Sequence, residues 1–151
     1  MDDIYLRKVE NSDIDLLYEW ANDPTVRKNS FNTEPIPYEK HTAWFSQMME
    51  DEAVLQFVLM KKDTPIGQIR LNIEGDAAEI GYSIAKEYRG QGFGHIILRL
   101  VKDLITEKHP AIQRIIAKVK PENIASNKLF QTEGYVLQYS CYLREIDRTG
   151  M

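Results

Sequence analysis

Apolar residues recur along this chain with two periods, and the change from one to the other divides it into elements. Between Ala78 and Ile84, Ile80, Tyr82 and Ile84 alternate with small or polar residues, as in a strand with one buried face. From His95 to His109, Ile96, Ile97, Leu100, Val101, Leu104 and Ile105 form one broad apolar stripe at helical spacing. Arg89-Gly90-Gln91-Gly92-Phe93-Gly94 lies between them, with glycine at alternate positions. The order is strand, glycine loop, helix.

The remaining pattern predicts an α/β chain. Asp3 to Val9 reads as a first strand, and Asn11-Ser12-Asp13 supplies cap chemistry for a helix from Asp13 to Ala21 with Ile14, Leu17 and Tyr18 inward. Asn22-Asp23-Pro24 breaks that helix, and the polar stretch from Thr25 to Pro37 reads as irregular. Helical period returns from Tyr38 to Glu50. Ala53–Lys61 and Ile66–Ile73 flank a turn at Lys62-Asp63-Thr64-Pro65 and form a hairpin. Beyond the long helix, Arg114–Val119 reads as a short strand and Asn123–Glu133 as a helix capped by Gly134. Tyr135–Ile146 reads as one or two final strands, broken near Tyr139 to Cys141.

With 151 residues, the chain is expected to form a single domain over 1–151. A formal net charge of −4 argues against a general nucleic-acid binder, which needs a basic surface. The single cysteine, Cys141, forms no intrachain disulfide and suits a reducing compartment, and it reads as a small strand residue because no partner base is identifiable. No signal-like or membrane-spanning run is visible, so a cytoplasmic protein without membrane or nucleic-acid partners is expected. His41, His95 and His109 match no metal-ligand spacing, and no metal is expected.

A glycine loop ahead of a helix lets backbone N–H groups point at an anion where the helix dipole adds positive potential. A phosphate-bearing ligand at Arg89–Gly94 is the first inference. His95 stands where a third glycine of G-x-G-x-x-G would fall, so the dinucleotide fingerprint is absent, as is the Walker A pattern.

What remains is R-x-x-G-x-G, and with the preceding EIGYSIAKEYRG it resembles the acetyl-CoA loop of the GNAT N-acetyltransferase superfamily. Asn123-x-x-Ser126-x-x-Leu129-Phe130-x-x-x-Gly134-Tyr135 resembles a later motif of the same superfamily. The resemblance implies a mixed, largely antiparallel sheet of about six or seven strands flanked by about four helices. It also implies acetyl-CoA as co-substrate. Backbone groups of Tyr82, Ser83 and Ile84 would hold the pantetheine and polarise the thioester. Arg89, Gly90, Gln91, Gly92, Phe93 and Gly94 would take the pyrophosphate, and Asn123 the pantetheine arm.

Glu79 is the candidate base, acting through water because an exposed carboxylate with a pKa of about 4 abstracts poorly from an ammonium. Its other reading is a solvated carboxylate paired with a neighbour. Many members carry a tyrosine acid where this chain has Phe130. Tyr135, Tyr139 or Tyr142 could replace it, or the thiolate could leave unassisted, so no acid is assigned.

The stretch Glu19–Phe45, with W-A-N-D-P-x-V-R and E-K-H-x-x-W-F, resembles a bacterial branch that acetylates UDP-linked 4-amino sugars on the route to pseudaminic acid. Arg27 and Lys28 would then meet a diphosphate, His41 would hydrogen-bond the nucleotide, and Trp44 or Phe31 would stack a base or sugar. The plainer readings are surface charge for the basic pair and core for Trp44. The leading function is N-acetyl transfer to a small-molecule amine, a nucleotide-linked 4-amino sugar, by a monomer or homodimer. The alternatives are a protein N-terminus, polyamine or aminoglycoside-type acceptor, and a non-catalytic CoA-binding module.

Overall fold

The computed structural model describes residues 3–149, so the two outermost residues at each end of the expected 1–151 domain lie outside it. Five strands form one sheet in sequence order: β1 (Ile4–Lys8), β2 (Val54–Lys61), β3 (Thr64–Glu74), β4 (Ala77–Ile84) and β5 (Arg114–Ala117). The first four pair antiparallel, whereas β5 runs parallel to β4, as the crossover through a long helix requires. The helices are α1 (Ile14–Ala21), α2 (Pro24–Asn29), α3 (Tyr38–Glu50), α4 (Phe93–Lys108) and α5 (Ile124–Thr132).

The two faces of the sheet differ in chemistry. One carries Phe57, Leu59, Ile69, Leu71, Ile80 and Ile84 against Ile97, Val101 and Ile105 of α4 and Phe130 of α5. Ile97 and Val101 are fully buried, each stabilising the fold by roughly 1.5–3 kcal/mol. The other face packs Val58 and Met60 on Leu17, Phe45 and Met48 of α1 and α3. That second face is apolar only near β1 and β2. Toward β4 it turns polar through Gln56, Gln68, Arg70 and Ser83, for which Gln56 pairs with Arg70, Arg70 with Gly81 and Gln68 with Ser83.

Three expectations need correction. The sheet has five strands among the described residues, not six or seven, because Tyr135–Ile146 forms no regular ladder. A strand needs a partner, and Val136, Leu137, Tyr139, Tyr142, Leu143 and Ile146 of that stretch instead stay 66–95% exposed. Cys141 is therefore an exposed residue of an irregular segment rather than a strand residue. Among the described residues there are five α-helices rather than about four: Asp23-Pro24, read as a break after α1, also starts α2. Its carboxylate accepts the Thr25 and Val26 N–H groups at 2.9 and 3.2 Å, with Pro24 in the first turn.

Candidate active site

β4 and β5 stay paired only from Ala77↔Arg114 to Ile80↔Ala117. Beyond Ile80 the strands part, so Gly81 to Ile84 have β3 on one side and no strand on the other. A free strand edge inside a sheet is a row of unused hydrogen-bonding groups. Here it opens into a cavity of about 740 Å³ bordered by Glu79, Tyr82, Ser83, Ile84, Arg89, Gly90, Gly92, Phe93, Gly94 and Asn123.

The glycine loop closes one end of this cavity. Gly92 is the N-cap of α4 at φ +87°, and Gly90 also lies at positive φ, +73°, conformations that side chains with a Cβ resist. The N–H groups from Gly90 to His95 have no acceptor among the described residues, and those of Gly92 to His95 are the ones that the start of a helix leaves free. Gly94 serves packing: a Cβ there would meet a Leu129 methyl at 2.9 Å, so α5 lies close over the start of α4. His95 and Arg99 of α4 hold Glu133 at 2.7 and 3.0 Å and fasten the two helices together.

Two charged side chains of the expected site point elsewhere than at an open ligand space. The Arg89 guanidinium donates to the Ile84 carbonyl at 3.0 Å and pairs with Asp23 at 3.0 Å, tying the loop to the start of α2. What Arg89–Gly94 leaves open is backbone. The Arg27 guanidinium donates to the carbonyls of Ala21, Asn32 and Glu34 and to Ser30 Oγ, at 2.7–3.1 Å, and so shapes the loop after α2. His41 is buried, with Nε2 2.8 Å from the Ile14 carbonyl. Gln91 does not border the cavity; its amide donates to the Glu87 carbonyl at 3.2 Å. Asn123 caps α5 by accepting the Ser126 N–H at 3.2 Å.

Glu79 stands one residue before the strands part and is about half exposed, with Lys118 Nζ at 3.1 Å. The hydrogen bond that Lys118 donates to this carboxylate raises the Lys118 pKa. Phe130 is core: its ring meets Tyr82 and Tyr135 edge-on at 5.8 and 4.9 Å. Burial pushes Tyr135 up to about 12, and its hydroxyl is buried without a partner, whereas Tyr139 and Tyr142 lie exposed in the irregular segment. Of the tyrosines whose rings meet Phe130, Tyr82 borders the cavity, and its hydroxyl is 3.0 Å from Ser126 Oγ.

A second cavity, of about 600 Å³, adjoins the first at Arg70, Gly81, Tyr82 and Ser83. Its walls are α1, α2, α3 and the polar face of the sheet, and Arg27, His41 and Trp44 border it. Gln56, Gln68, Arg70 and Lys40, which sequence patterning did not single out, border it as well. Gln56, a polar residue inside the apolar run of β2, was the one readable signal.

Residues 3–136 match the family model described as Acetyltransferase (GNAT) domain. The chain belongs to the GNAT acetyltransferase family. It is 32% identical over 149 residues to the uncharacterized N-acetyltransferase p20 of Bacillus licheniformis, covering 89% of this chain and 82% of that one. The fold is similar to that of spermidine N-acetyltransferase from Vibrio cholerae in complex with CoA and spermine (TM-score 0.83, 22% identity, 92% of this chain and 84% of that one). It is also similar to the aminoglycoside acetyltransferase AAC(6')-Ib with coenzyme A and kanamycin (TM-score 0.78, 19% identity, 89% and 85%). This N-acetyltransferase has no cluster of three or more His, Cys, Asp or Glu able to hold a metal among its described residues. None of its described helices is long and apolar enough to cross a membrane.

Proposed function

We propose that this single-domain, cytoplasmic N-acetyltransferase takes acetyl-CoA in the larger cavity and a nucleotide-linked 4-amino sugar in the smaller one. The observation that carries the donor assignment is the parting of β4 from β5 beside the free Gly90–His95 amides. A pantetheine arm carries amides that a free strand edge can bond, and a pyrophosphate is the anion that a helix N-terminus favours. The residues present therefore fit the group.

Bound there, acetyl-CoA supplies an acetyl thioester. The chain's own groups do the rest. Backbone of Tyr82, Ser83 and Ile84 orients the donor and holds polarising N–H groups, while Gly90 to His95 and Asn123 anchor its far end. Glu79 accepts the acceptor's ammonium proton through water at its carboxylate, with Lys118 keeping that carboxylate oriented. Neither step asks Phe130 for a proton.

The smaller cavity supports the acceptor class. Arg27, Lys40 and Arg70 border it and no carboxylate does. A second reading, a polyamine or aminoglycoside amine, draws on the spermine and kanamycin named for the fold neighbours. Such polycations need acidic walls, which this cavity lacks. Mixing the enzyme with acetyl-CoA and a UDP-linked 4-amino sugar should release free thiol. Turnover of spermidine or a peptide N-terminus, with none of the sugar, would overturn the acceptor assignment.

A further inference from the structure

Arg70 projects from β3 onto the polar face of the sheet, paired across the strands with Gln56 and Gly81. Its guanidinium sits over the Trp44 ring, 5.2 Å from the centroid, and borders both cavities. It makes no hydrogen bond or ion pair with any described residue. That is unusual for a half-buried guanidinium, whose N–H groups normally find carboxylates or carbonyls. Desolvation lowers its pKa, and the charge of Glu79 offsets this in part, but that carboxylate is engaged by Lys118.

The surroundings are equally one-sided. Arg27 has spent its fork on backbone carbonyls, and Lys40 has no ion-pair partner among the described residues. Gln56 donates to Gln68 at 2.8 Å, and Gln68 donates to Ser83 at 3.1 Å. This row leaves Gln56 Oε1 buried and unpartnered. The cavity thus presents a flat cation held on an aromatic face beside an unused acceptor. A desolvated charge without a partner is a stability cost that a bound counter-ion would cancel.

Resting on the acceptor assignment above, we infer that Arg70, seated on Trp44, binds an oxyanion of the acceptor. It thereby makes this enzyme selective for amines that also carry a phosphate or carboxylate. A guanidinium stacked on one face keeps its N–H edge free for bidentate bonding to such an oxyanion. The same charge repels polycationic amines. The fold is shared with a spermine-binding enzyme, but the charge at this position decides the acceptor.

The test is calorimetric titration of wild type, Arg70→Gln and Arg70→Lys with UDP, malonate, spermine and acetyl-CoA, followed by Trp fluorescence. UDP should bind wild type, quench its indole emission, and lose more than tenfold in affinity in Arg70→Gln, with partial recovery in Arg70→Lys. Malonate binding in place of UDP, with the same dependence on Arg70, would support the inference and make a carboxylate the source of the oxyanion. Acetyl-CoA affinity and thermal midpoint should not fall in Arg70→Gln, as they would if Arg70 merely held the fold. Wild type that binds spermine as tightly as UDP, or UDP affinity unchanged in Arg70→Gln, would overturn the inference. Failure of wild type to bind acetyl-CoA would instead strike the donor assignment.

Discussion

The two ends of the cleft offer a ligand different kinds of group. At the proposed donor end the groups left open are backbone: six consecutive N–H groups from Gly90 to His95 and the free edge of Gly81 to Ile84, with the nearest arginine turned inward onto Ile84 and Asp23. At the proposed acceptor end they are side chains: Trp44 and Lys40 on α3, and Arg70, Gln56 and Gln68 on β2 and β3, whose backbones pair with each other. A backbone site depends on φ values that glycine permits, so it leaves a mark in sequence as glycine spacing. A side-chain site leaves only residue types, and these look like any solvated strand face until the helices that cover them are placed.

Substitutions should separate the two ends. The largest effect is expected at Glu79, where Glu79→Gln should lower kcat about 100-fold with acetyl-CoA affinity unchanged, as loss of a general base does. Steady-state kinetics beside calorimetry checks it, and an unchanged kcat would reduce Glu79 to the ion pair it makes with Lys118. Next is Gly92→Val at the donor end. Strain at φ +87° and the bulk placed over the free amides should weaken acetyl-CoA by roughly 2–3 kcal/mol, about 30- to 150-fold. UDP binding should stay within about twofold.

A smaller effect separates support from chemistry. Arg7 holds Asp13 through two 2.8 Å hydrogen bonds and keeps its carboxyl below the ordinary value, against the opposing effect of burial. A carboxylate lowered in the folded state contributes stability that is present above its unfolded value of 3.8 and lost as pH falls through the lower folded value. Asp13→Asn should therefore cost about 1–3 kcal/mol at pH 7 and progressively less as pH falls below 3.8, by denaturant unfolding at each pH. It should leave acetyl-CoA affinity intact. The smallest effect is predicted for Gln91→Ala, which removes a donor-loop side chain that faces Glu87. Acetyl-CoA affinity should change less than about threefold, because surface substitutions of this kind cost little.

The same contrast explains what could be read from the chain alone. Strands β2, β3 and β4 and helices α3, α4 and α5 were legible because their apolar periods run uninterrupted for eight residues or more. Helix α2 was not, since six residues carry no apolar stripe, and its Asp23-Pro24 start doubles as the end of α1. The final strands failed for the opposite reason: Val136 to Ile146 has strand composition, but it pairs with none of the described strands. Arg27 reads as an anion ligand from its chemistry and Arg89 from the R-x-x-G-x-G resemblance, but nothing local in sequence distinguishes a guanidinium that clamps a loop from one that waits for a ligand. Arg70 was missed on the same ground. Its freedom is a tertiary fact, set by Trp44 beneath it and by Lys118, which engages Glu79, the carboxylate whose charge reaches it.

Backbone at one end of the cleft is proposed to hold the donor. Amide chemical-shift mapping of the ¹⁵N-labelled protein with coenzyme A reads those groups directly. The largest shifts should fall on Gly81–Ile84 and Gly90–His95. Shifts confined to Arg70, Trp44 and their neighbours, with the glycine-loop amides unmoved, would contradict it.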